Sequence, residues 1–205
     1  MKYGTDGSGA QGAMSDQVTD VSNVDRLIEE ISQLRGRIAQ LQERVEQLDQ
    51  LAHQDSLIDV PNRRGFMRAL ERLIDRVKRY DERAAMLFVD LDGLKAINDT
   101  FGHKAGDEAL IQVARLLGSG VRKCDLVARI GGDEFAILLV HSEESSAHDT
   151  AARLENVICG SDFSHDGQSM PLSVAIGVSI ISADDSAEAV IARADEEMYR
   201  RKAAA

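Results

Sequence analysis

Apolar residues recur along this chain with two different spacings, and the change from one to the other divides it. Val24, Ile31, Ile38, Val45 and Ala52 fall seven apart, and Leu27, Leu34, Leu41 and Leu48 follow the first four by three. A heptad with β-branched residues at a and leucine at d favours a parallel two-stranded coiled coil. The flanking charges agree: in a parallel in-register pair, Glu30 faces Arg35 of the partner subunit and Arg44 faces Asp49 of the partner subunit. Each such pair contributes only ~0.2–1 kcal/mol, so the apolar seam supplies the stability and the charges bias orientation. Gly36 costs ~1 kcal/mol of helix propensity but lies at an outward f position. The stripe is narrower than that of a helix packed on its own domain. Residues 24–54 are therefore predicted to be a dimerisation helix. Residues 1–23 are rich in Gly, Ser, Asp and Gln without apolar periodicity and are expected to be a flexible tail.

From Asp55 the heptad gives way to alternating helical and strand-length runs, so residues 55–205 form the second segment. Asp55-Ser-Leu-Ile-Asp-Val-Pro-Asn62 reads as a hinge and helix cap. A helix is predicted over 63–80, with Phe66, Leu70, Leu73, Ile74 and Val77 on one face. Residues 84–89 form a buried strand ended by Asp90-Leu91-Asp92-Gly93, and a short helix covers 96–101. Gly102 and Gly106 bracket a turn before a helix that points Leu110, Val113, Ala114 and Leu117 inward. Leu126–Ile130 and Phe135–Val140 read as a hairpin around Gly131-Gly132, because tight turns favour residues that accept positive φ. The second run is apolar throughout, as in a central strand covered on both faces. A helix over 147–158, a strand over 172–181 broken by Gly177, and a final helix over 186–202 complete the reading. The last helix buries Ala187, Val190, Ile191, Ala194 and Met198. The expected architecture is α/β, a sheet with a central antiparallel hairpin flanked by helices.

Composition narrows the function. A net charge of −11 over 205 residues argues against non-specific nucleic-acid binding and against a role on anionic lipid. No apolar run approaches the ~18 residues of a membrane span, and no signal peptide is visible. Cys124 and Cys159 lack metal-ligand spacing and point to a reduced, cytoplasmic compartment.

The chemistry concentrates in acids. Asp133 and Glu134 sit at the hairpin tip, and Asp90 closes a strand of what is expected to be the same sheet. If that strand lies antiparallel to its hairpin neighbour, the three carboxylates gather at one end. Like charges ~4 Å apart repel by ~4 kcal/mol at an effective dielectric near 20. Such a cluster needs protons, basic partners or a divalent cation, and all-oxygen donors suit Mg²⁺ with phosphate. Gly93 leaves room for backbone N–H groups to approach a phosphate. One reading is metal-dependent phosphoryl or nucleotidyl transfer; the other is that these acids form turns and face solvent.

Five blocks in order weigh on that choice: Asp55–Arg64, Phe88–His103, Gly106-Asp107, Arg129–Phe135 and the C-terminal Tyr199…Lys202. Together they resemble the GGDEF family of diguanylate cyclases from about Asp55 to Lys202. The resemblance implies a sheet like the palm of class III nucleotide cyclases. It also implies condensation of two GTP into cyclic di-GMP with release of two pyrophosphates. Asp90 and Asp133, helped by the Leu91 carbonyl, would hold Mg²⁺ (or Mn²⁺). Glu134 would ligate metal or take the proton of the attacking 3′-hydroxyl. Asn98 and Asp107 would read the guanine edge. The Gly93-Leu94 backbone, Lys95 and Lys202 would bind phosphates, and Arg129 would stabilise the transition state. Arg122 and Asp125 match the family's RxxD site, where cyclic di-GMP inhibits its own synthesis.

Each domain would hold one GTP, so two must face each other, and the coiled-coil homodimer would raise their effective concentration. The family usually continues past the equivalent of Lys202 with Gly-Arg, whereas Ala203–Ala205 follow here, so the expectation is that either the C-terminus is trimmed or one phosphate contact is missing. Two other functions fit the same residues: a catalytically silent GTP or cyclic di-GMP receptor, and a dimerisation module. Degenerate members usually lose the hairpin acids, and both are present here.

Overall fold

The computed structural model describes residues 12–204. The N-terminal helix α1 runs over Gly12–His53, so it begins inside the stretch expected to be a tail; residues 1–11 of that expectation lie outside the described residues. No proline interrupts 12–23, and nothing in the local sequence stops a helix from extending upstream of the heptads. On α1 the heptad residues from Leu27 to Leu48 face solvent: Ile31 and Leu34 are each 49 % exposed and Leu41 and Val45 each 64 %. Among the described residues no helix is long and apolar enough to cross a membrane.

The chain divides into two compact units, 1–49 and 50–205. In the second, Asp55 organises the hinge by accepting the Leu57 and Ile58 N–H groups, each at 3.0 Å. Asn62 caps α2 (Arg63–Tyr80) by accepting from the Gly65 N–H, and its amide donates to the Ala52 and Gln54 carbonyls. The remaining elements are β1 (Ala84–Leu91), α3 (Leu94–Phe101), α4 (His103–Ser119), β2 (Leu126–Arg129), β3 (Glu134–Val140), α5 (Glu144–Cys159), β4 (Phe163–His165), β5 (Gln168–Met170), β6 (Val174–Ile181) and α6 (Ala187–Ala204).

The main sheet has the order β2-β3-β1-β6 and every pairing is antiparallel. The period-two alternation of the strands sorts the core into two layers. Ala85, Leu87, Val89, Phe135, Ile137 and Leu139 pack with α4 and α5 on one face. Ala84, Met86, Phe88, Ala136 and Leu138 pack with α2 and α6 on the other. Both faces of β1 and β3 are covered, which is why these strands read as unbroken apolar runs.

Four expectations change. The hairpin does not occupy the middle of the sheet: β2 is an edge strand, and the central pair is β3 with β1. Gly177 does not break β6. A Cβ there would lie 2.0 Å from the Ala194 carbonyl oxygen and 2.4 Å from the Met198 nitrogen, so glycine lets α6 lie directly on the strand. Gly106 is inside α4 rather than in a turn, and a Cβ there would strike the Asn98 amide oxygen at 2.0 Å. The small sheet β4-β5, joined by Asp166 and Gly167 at positive φ, has no counterpart in the sequence reading.

Candidate active site

The acids meet because of strand register. Asp90 lies within β1, next to its end, and pairs directly with Glu134, the first residue of β3. The Leu91 N–H donates to the Asp133 carbonyl at 2.9 Å, which closes the hairpin turn onto the same strand end. Gly131 and Gly132 are not at positive φ. Gly131 instead leaves room for the Glu134 side chain, whose Oε2 would lie 2.1 Å from a Cβ there and would have to turn aside. The turn is therefore shaped around the Glu134 carboxylate.

Burial pushes the Glu134 carboxyl above its ordinary range, and the Asp133, Asp90 and Asp195 carboxylates act in the same direction against Arg63. Lys202 answers part of this negative charge. Its ammonium donates to Asp90 Oδ1 and lies 2.8 Å from Asp92 Oδ1. Those two hydrogen bonds hold Lys202 well above the usual lysine range. Asp92 is fixed by Ser173, whose hydroxyl donates to its Oδ2 at 3.0 Å.

A hard divalent cation suits these donors in kind: two cross-strand carboxylates, a third on the adjoining turn, and backbone carbonyls. Lys202 shows that the strand end already holds a positive charge against Asp90. In the present arrangement Lys202 takes oxygens of Asp90 and Asp92. No three acidic, histidine or cysteine side chains converge as a ligand set among the described residues.

Beside the acids lies an open cleft of about 400 Å³, whose lining includes Leu94, Lys95, Asn98, Asp107, Arg129 and Asp133. Gly93, at φ 72°, is the N-cap of α3 and offers no capping side chain, so the first N–H groups of the helix, just beyond the end of β1, are left without a side-chain cap. Asn98 sits on α3 and Asp107 on α4. Asp90, Glu134 and Lys202 stand outside the cleft lining.

Arg129 is not the solvent-facing strand residue that a bland reading would make it. Its side chain is 15 % exposed; Nη2 donates to the Gly132 carbonyl at 2.7 Å and Nη1 to Asp55 at 3.3 Å. Its backbone N–H donates to the Pro61 carbonyl. The hinge and the hairpin turn thus share one guanidinium. The Asp55–Arg129 link spans 74 positions in the chain, and only the block resemblance hinted that both residues matter.

Arg122 and Asp125 lie in a different cleft, of about 230 Å³, with Thr150 and Arg153 of α5 also lining it. Asp125 accepts from the Arg122 N–H at 2.9 Å and from the Val140 N–H at 3.1 Å. Its carboxylate builds the loop that presents Arg122. Arg153 escaped the sequence reading because an arginine on an exposed helix carries no distinguishing signal.

Comparison with known proteins adds an independent line. The family described as "Diguanylate cyclase, GGDEF domain" matches residues 52–205. The response regulator PleD of Caulobacter vibrioides is 37% identical over 157 residues, covering 75% of this chain and 35% of PleD. Diguanylate cyclase TpbB of Pseudomonas aeruginosa is 37% identical over 155 residues, covering 74% of this chain and 35% of TpbB. The chain therefore spans about a third of the length of these relatives. The structure of the coiled coil and GGDEF domain of DgcB from Caulobacter crescentus, in complex with c-di-GMP, superposes with a TM-score of 0.80. It is 24% identical and covers 87% of this chain and 95% of the DgcB chain, a likeness of fold.

Proposed function

The chain belongs to the GGDEF diguanylate cyclase family, and from that premise we propose that it condenses two GTP molecules into cyclic di-GMP and two pyrophosphates. The observation that carries this reading is the register of β1 on β3, which sets Asp90 opposite Glu134 beside the cleft containing Lys95, Asn98 and Asp107.

Asn98 and Asp107 offer an amide and a carboxylate to the guanine edge, a pairing that adenine would leave unsatisfied. The N–H groups that start α3 and the Lys95 ammonium bind the phosphates. Glu134, whose proton affinity is raised by burial and by its acidic neighbours, either takes the proton of the attacking 3′-hydroxyl or, in its other role, joins the metal ligands. Asp90, Asp133, Glu134 and the Leu91 carbonyl would hold Mg²⁺ or Mn²⁺. Such an ion, when bound, lowers the hydroxyl pKa and neutralises phosphate charge. Lys202 exchanges its hold on Asp90 and Asp92 for phosphate oxygens. Arg129, braced by Asp55 and Gly132, presents its remaining guanidinium surface toward the same cleft.

Two such domains must face each other, and the exposed heptad stripe of α1 supports a parallel coiled-coil homodimer. The DgcB chain likewise combines a coiled coil with a GGDEF domain. Product feedback at Arg122 and Asp125, with Arg153 as a second guanidinium, is supported by the preformed cleft between them. Arginine can meet guanine O6 and N7 with two parallel hydrogen bonds.

Incubating the purified chain with GTP and Mg²⁺ should yield cyclic di-GMP, and replacing GTP by ATP should yield no cyclic product. Binding of GTP without turnover would instead favour a receptor. An Arg122→Ala variant should keep its initial rate while losing inhibition by added cyclic di-GMP, read as a rise of about tenfold or more in the inhibitory concentration. Unaltered inhibition would remove the site.

A further inference from the structure

Three charged side chains of α6 fall four residues apart and meet β6 at every second residue. Arg193 Nη2 donates to the Ile180 carbonyl at 2.8 Å, Glu197 Oε2 accepts from the Val178 N–H at 2.8 Å, and Arg201 Nη1 donates to the Ile176 carbonyl at 2.8 Å. The periods match physically: four helical residues advance ~6 Å and two strand residues ~6.7 Å, so successive rungs stay aligned while helix and strand run in opposite directions. Both ends of the ladder are anchored by acids. Asp185 grips Arg193 with two bonds of 2.7 Å. Glu155 of α5 lies 3.4 Å from Arg201 and accepts the Ile176 N–H at 3.1 Å. Between the rungs, the missing side chain of Gly177 lets the α6 backbone rest on the strand.

The last rung is followed at once by Lys202, the group that reaches across to Asp90 of β1 and to Asp92 in the turn just after it. Lys202 has a long, flexible stem and a 43 % exposed side chain, so its aim depends on where its backbone stands. We infer that Arg193, Glu197 and Arg201 fix the register of α6 on β6, and that Arg201 is the positioning residue that delivers Lys202 to the acidic strand end. This deepens the proposed GTP site and rests on it only for the consequence in nucleotide binding.

The direct test needs no nucleotide. Thermal melts of the full chain with Lys202→Met, Asp90→Asn and both changes measure the coupling of that pair, in the parent background and again with Arg201→Met. In the parent background the double variant should melt close to one of the singles. With Arg201→Met the two effects should become additive, and Arg201→Lys should restore the coupling. Equal coupling in both backgrounds would overturn the inference. Should Arg201→Met fail to fold, Arg201→Gln replaces it, with the same expected and contrary results.

A second arm titrates the Mg²⁺ complex of a GTP analogue whose α–β bridge is a methylene. Affinity should fall about tenfold with Arg201→Met and no further when Lys202→Met is added. Arg193→Met, at the far end of the ladder, should lower the melting temperature and leave affinity within twofold. Additive losses from Arg201→Met and Lys202→Met would count against the ladder. Failure of the parent chain to bind the analogue would instead overturn the GTP reading, with the melts still deciding the ladder.

Discussion

Glu134 shows how one residue can be placed against its own stability. Its carboxyl is partly buried, faces Asp90 across the ladder and follows Asp133 in sequence. An acid whose folded pKa is raised binds its proton more tightly in the folded chain. Stability then falls as pH climbs from the ordinary carboxylate range through the raised value. Glu134→Gln removes that penalty. It should melt roughly 1–2 °C above the parent at pH 7.5, with the gap closing as pH drops below about 4, while cyclic di-GMP synthesis is lost. A lower melting temperature at pH 7.5 would contradict the electrostatic account. At this scale the sequence disclosed the acids through their place at the ends of apolar runs. It could not disclose that Lys202 would sit on Asp90 and Asp92. Nor did it show that Asp125, besides its local bond from the Arg122 N–H, accepts from the Val140 N–H at the end of β3, since that contact and those of Lys202 join residues far apart in the chain.

Elements with long apolar faces were legible from pattern alone. The α2 helix runs over the predicted 63–80 because Asn62 caps it and five buried residues repeat on one face. The glycines misled, because a missing side chain serves turns and close packing alike and a sequence does not say which. Gly177 was read as a break, yet it is the slot through which α6 contacts β6. Gly177→Ala should destabilise the domain by about 1–3 kcal/mol, the range for overpacking, at the upper end because the atoms it meets belong to backbone. A chemical denaturation midpoint unchanged from the parent would refute the close-packing explanation. The β4-β5 pair went unseen for another reason. Each strand has three residues, too few for a period, and the Asp166-Gly167 signal stood alone between polar neighbours.

For the whole molecule, the order of strands was beyond the sequence: strand lengths are set locally, but which strand lies at an edge is decided by how helices cover the two faces. The resemblance to the GGDEF family supplied the general α/β plan of an antiparallel sheet with flanking helices, and the register of β1 on β3 supplies the proximity of the acids. The proposed dimerisation belongs to this scale too. A stripe of leucines and β-branched residues as exposed as that of α1 leaves apolar area in water, at ~25 cal/mol per Å². Leu34→Asp with Leu41→Asp should make the chain monomeric by sedimentation and reduce cyclic di-GMP formation at least tenfold at submicromolar protein. Undiminished turnover by a monomer would sever the link between helix and chemistry.

The polar contacts along β6 carry one more consequence. β6 ends the sheet, and a bare outer strand is a template on which stray extended chains can grow. Here Glu155 and Glu197 accept from the Ile176 and Val178 N–H groups, and Arg201 and Arg193 donate to the Ile176 and Ile180 carbonyls. The margin of the sheet is insulated by salt-bridging side chains, leaving concentrated solutions of this protein protected along β6 against fibrous growth.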